Sequence, residues 1–71
     1  MLAAEVLAKI NIAIRCDGEV MLDRAVALAM ASGLSEKEAT KEVKAYMATL
    51  VKKGVAKRRR GAGLAAGWVH A

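Results

Sequence analysis

The stretch from Ser35 to His70 limits this chain most: it reads as a capped helix, a glycine stop, a basic strand, a glycine-rich loop and a returning strand. Ser35-Glu36-Lys37-Glu38 has the spacing of a capping box, with the Ser35 hydroxyl set for an orphan amide of the first turn and Glu38 set to reach back. Ala39, Val43, Met47 and Leu50 then recur at helical spacing, flanked by Tyr46 and Val51, and Lys52-Lys53-Gly54 is the stop. A basic strand follows, Val55-Ala56-Lys57-Arg58-Arg59-Arg60. Gly61, Gly63 and Gly67 give the next loop a freedom that β-branched residues would forbid. Trp68-Val69-His70 ends the second strand, with Trp68 expected to anchor it against the sheet or the end of the helix.

Charge divides along the same line. Residues 1 to 50 carry six Lys/Arg against seven Asp/Glu, whereas residues 51 to 71 carry six Lys/Arg and no acid. The net charge of +5 therefore belongs to the hairpin side and points to a phosphate-facing surface.

With 71 residues the chain is expected to form one domain, 1–71, with a thin margin of stability, because a domain of this size buries only about 60% of its unfolded surface. Cys16 is the only cysteine and His70 the only histidine, so neither a disulfide nor a metal cluster is expected to help. No cofactor is implied, and a homodimer is a reasonable expectation for a core without Phe. The longest uncharged apolar run, Ala25 to Ala31, is far short of the roughly 20 residues that span a bilayer. The N-terminus lacks the basic start of a signal peptide, and one free thiol suits a reducing compartment, so the expected location is cytoplasmic.

Upstream, residues 2 to 15 read as a first helix with Leu2, Ala3, Val6, Leu7, Ile10, Ala13 and Ile14 on one face. Ile12 lies off that face, either by accident or as a contact with a second subunit. Asp17-Gly18 is a turn signal. Glu19 to Leu22 then suits a short extended piece, with a helix from about residue 19 as the alternative. Asp23 is a plausible N-cap for a second helix from Arg24 to about Ser32, with Leu22, Ala25, Val26, Ala29 and Met30 inward and Gly33 as its left-handed stop.

The fold class expected is α+β, mainly α: three helices plus a C-terminal β-hairpin. Over residues 20 to 71 the chain resembles the winged helix-turn-helix superfamily of small bacterial and phage DNA-binding proteins. The resemblance rests on the turn Gly33-Leu34-Ser35, the spacing Val43, Met47 and Leu50, the ending Lys53-Gly54-Val55, the basic strand Lys57 to Arg60 and the return strand Trp68-Val69. It implies a double-stranded DNA-binding protein, either a small transcriptional regulator or a phage or plasmid accessory factor. Winged helices also serve as protein-binding modules, so the alternative is a basic wing that meets an acidic protein partner. Two features depart from the family pattern. The span from Gly33 to Gly54 is longer by about one helical turn. Glu36, Glu38 and Glu42 lie on or near the helix that should approach phosphate, beside Lys37, Lys41 and Lys44, which gives a mixed face.

The residues expected to contact DNA are Lys37, Thr40, Lys41, Lys44, Lys52, Lys53, Lys57, Arg58, Arg59 and Arg60. Each has a plainer reading. The arginine run can protect an exposed strand, although four consecutive cations exceed what edge protection needs. The helix lysines can make supporting pairs such as Glu38 with Lys41. Lys52 and Lys53 complement the helix C-terminus in either case. Tyr46 and Trp68 can stack on bases but are expected in the core. Cys16 is expected to be a small, half-buried apolar residue, and His70 a strand end. No pairing of nucleophile and base, and no phosphate loop opening a helix, points to catalysis.

Overall fold

The structure, a computed structural model, describes residues 2–60 and 66–71. It is α+β and mainly helical. Helix α1 (Ala4–Ile12) continues into a π-helical turn, Ala13–Asp17, and strand β1 (Glu19–Met21) follows. Helices α2 (Leu22–Ala31) and α3 (Glu36–Lys52) come next, then strands β2 (Ala56–Arg59) and β3 (Gly67–His70). The strands form one antiparallel sheet in the order β1-β3-β2. The C-terminal strands are therefore not a free-standing hairpin. Among the described residues, three strands share one sheet, with β3 paired on both sides.

The core follows from side-chain spacing. Val6, Ile10 and Ile14 of the first helical segment meet Ala25, Val26 and Ala29 of α2 and Ala39, Val43, Met47 and Leu50 of α3. Val20, Ala56 and Trp68 cover them from the sheet, and among the described residues no charged or polar side chain is buried. Small residues at Ala25, Ala29 and Ala39 let the helices approach closely, so a core without Phe still fills its volume.

The first helix begins later and runs further than residues 2 to 15. Its last turn widens to the π form, keeps both Ala13 and Ile14 buried and ends at Gly18 with φ +80°. Ala3 is exposed and Leu7 only half-buried, so the inward face is narrower than the sequence spacing implied. Cys16 is exposed, not half-buried, because it lies on the outer side of the π turn.

The start of the second helix also differs. It begins at Leu22, with Met21 as the capping position and no side-chain cap. The Leu22 amide, the first of the helix, donates to the Ala66 carbonyl at 2.8 Å, a tertiary bond that satisfies one orphan donor. The Asp23 carboxylate accepts from its neighbour's amide, Arg24, at 2.7 Å. Met30, included in the inward set, is exposed.

The third helix starts where its capping box places it. The Glu38 amide donates to the Ser35 hydroxyl at 3.2 Å. The reciprocal contact differs from the expected reach to a backbone amide: the Ser35 hydroxyl donates to the Glu38 carboxylate at 3.1 Å. Gly33 (φ +110°) and Gly54 (φ +78°) stop α2 and α3 in backbone regions that favour glycine. The Val55 amide then bonds the Leu50 carbonyl at 3.0 Å, which turns the chain from α3 into β2.

Candidate functional site

Helix α3 separates its charges. Lys37, Lys41, Lys44, Ala48 and Lys52 succeed one another by three or four positions and lie along one flank. Glu38, Glu42, Ala45 and Thr49 do the same along the other. The surroundings of the two flanks differ. Lys44, Ala48 and Val51 line a cleft that faces the sheet, with Leu22, Arg58, Ala66, Gly67 and Trp68 as its other walls. Glu42, Ala45, Tyr46 and Thr49 line a smaller hollow beside Leu2 and Leu7. Within the mixed face expected from the sequence the lysines and glutamates thus form neighbouring rows, with Lys44 of the one row at the sheet-side cleft and Glu42 of the other at the hollow beside Leu2 and Leu7. Glu38 is also held by Ser35, and Glu36 lies in the first helical turn, where a carboxylate complements the exposed amides.

Among the candidates, Thr40 is bonded to its own helix. It is half-buried beside Ala39 and Val43, and its hydroxyl donates to the Glu36 carbonyl at 2.8 Å. A hydroxyl spent on its own helix presents no donor outward.

The basic strand divides in the same way. In β2, Ala56 and Arg58 fall on the helix-facing side, since Ala56 is buried and Arg58 pairs in register with the buried Trp68, itself opposite the buried Val20. Lys57 and Arg59 fall on the outer side by strand alternation. Of the basic strand, Arg58 therefore joins Lys44 of α3 at the cleft. Arg60 follows the strand and is exposed, and Lys52 and Lys53 stand exposed at the C-terminal end of α3.

Arg59 has a partner that the sequence reading missed. Its guanidinium donates to the Glu19 carboxylate at 2.8 Å and approaches the Met21 sulfur at 3.6 Å. The contact spans the sheet from β2 to β1 across Gly67, whose missing side chain leaves the gap. A Cβ there would stand 2.6 Å from the Val20 carbonyl oxygen and 3.1 Å from the Met21 sulfur. The four cations without a nearby acid are so only in sequence, and Arg59 is a sheet clamp before it is a phosphate ligand. An alternating Glu19-Val20-Met21 strand was the one available signal, and it named no partner.

The aromatic side chains are committed to packing. Trp68 is 6% exposed and Tyr46 packs half-buried against the core. The Asn11 amide bridges the Leu7 carbonyl and the Tyr46 hydroxyl and so fixes Tyr46 against α1. His70 sits at the strand end with Nδ1 at 2.8 Å from the Ala71 carbonyl oxygen.

What remains is a set of exposed cations. The ion pairs Lys9–Glu5 and Arg59–Glu19 involve none of Lys37, Lys41, Lys44 and Arg58. No described helix is long and apolar enough to cross a membrane. Comparisons of the chain with protein-family models, with curated proteins and with solved structures find no match to any of them.

Proposed function

We propose that the protein binds double-stranded DNA as a winged helix-turn-helix, with the lysine flank of α3 and Arg58 of β2 facing the duplex. The element order α1-β1-α2-α3-β2-β3, with β3 central in the sheet, supports the winged-helix reading. The observation that carries the functional reading is the sorting of charge on α3: Lys37, Lys41 and Lys44 share a flank with Arg58 near its end, and the carboxylates lie on the other flank. Cations on a helix and an adjoining strand can hold phosphates along a groove edge. The lysines supply point charges to phosphates, and Arg58 a forked donor.

The test is fluorescence anisotropy with a random duplex at several salt concentrations. Four or five neutralised phosphates give a log–log salt slope of about −4. The double variant Lys41→Ala/Lys44→Ala is expected to weaken binding to all sequences alike and to flatten the slope by about two. Binding with no salt dependence, or a variant that keeps the wild-type slope, rejects this surface. No binding even at low salt rejects the DNA reading and leaves an acidic protein as the partner to seek.

A further inference from the structure

The cleft between α3 and the sheet is more than a seam. It encloses about 410 Å³, within the range of small-molecule sites. Its floor is apolar, made by Leu22, Ala48, Val51 and Trp68, and its two charged walls are Lys44 on α3 and Arg58 on β2. Val51 is 39% exposed, an apolar surface left open at the cleft rather than folded into the core. Among the described residues neither Lys44 nor Arg58 forms an ion pair. Two unpaired cations above an apolar floor specify a ligand that is anionic at one end and apolar at the other. A phosphate alone would leave the floor wet, and a hydrocarbon alone would leave both cations unmatched.

We infer that this cleft is a binding site for a small amphipathic carboxylate, whose acid group bridges Lys44 and Arg58 and whose apolar body lies on Leu22, Val51 and Trp68. A regulatory consequence rests on the DNA reading above. The same two cations face the duplex there, so a bound carboxylate and DNA exclude one another.

The probe pair is 1-naphthaleneacetate and its neutral amide, which differ in charge and hardly in shape. Calorimetry gives the affinities, and amide chemical shifts of the labelled protein give the place. The carboxylate is expected to bind about tenfold tighter than the amide, with shifts at Lys44, Ala48, Arg58 and the Trp68 indole. Lys44→Ala/Arg58→Ala is expected to erase that difference while leaving the circular dichroism spectrum unchanged, since both side chains are exposed. Equal affinity for acid and amide, shifts centred elsewhere, or an acid preference that survives the double variant would overturn the site. At fixed ionic strength, naphthaleneacetate should release a bound duplex and the amide should not; carboxylate binding without release overturns the competition. A protein that binds the carboxylate in the cleft and no duplex at all would refute the DNA reading and leave the site standing.

Discussion

Arg58 and Arg59 are neighbours in the chain and opposites in the sheet. Arg58 points to the helix side beside Trp68, whereas Arg59 crosses the outer face to Glu19. Their alanine variants are therefore expected to separate. Arg58→Ala should flatten the salt slope of duplex binding by about one. Arg59→Ala should leave the slope nearly intact and cost up to about 1 kcal/mol of stability, the scale of a pair whose side chains are about half exposed. A slope that falls equally in both variants would refute the division of the strand. Gly67→Ala tests the same region from below, since its Cβ would meet the Val20 carbonyl oxygen at 2.6 Å. Relieving that contact means moving β1 from β3, with a loss of about 1–3 kcal/mol, read as a lower melting temperature. Only half of this was visible in the string of residues. Strand alternation showed that Arg58 and Arg59 must part, but the partner of Arg59 lies 40 positions away and depends on how the sheet is assembled.

At the scale of elements, α3 was the most legible part. Its start, its inward row and its glycine stop all follow from local chemistry: a hydroxyl for an orphan amide, a period that buries one face, and a residue free to take positive φ. Ser35→Ala should cost about 1 kcal/mol in a denaturant titration, because it leaves the Glu38 amide without its acceptor. Val43→Asp should abolish the cooperative transition, because that position is fully buried among apolar neighbours. A native circular dichroism spectrum and melt for this variant would show the helix phase to be wrong. What α3 faces was less legible. Spacing divides lysines from glutamates, but only the assembled sheet places Lys44 across a cleft from Arg58 of β2. The α2 start shows the same limit. Asp23 is a fair cap by composition, but the helix begins one residue before it, at Leu22, whose amide bonds the Ala66 carbonyl.

At the scale of the molecule, the strand order governs. Strands β1 and β2 never pair with each other; both depend on β3. Shortening the chain to end at Ala66 is expected to remove the pairing of all three strands at once, and thermal melting should lose its sharp transition while helical signal partly persists. A truncated chain that melts as the full one does would mean that the helices alone set the stability. The fold class was legible at this scale because helix periods and turn residues carry it, whereas the three-stranded sheet was only half anticipated: β1 is three residues long, too short for its alternation to announce a partner. The central position of β3 also sets a timetable. While the protein is being synthesised, β1 emerges early and has nothing to pair with until the segment from Gly67 to His70 follows, roughly 3–10 s later at about 5–20 residues per second. For that interval β1 has open edges, joined by β2 only over about the last 0.4–2 s, and the ribosome and its chaperones, rather than the fold, must keep these strands from pairing with a neighbour.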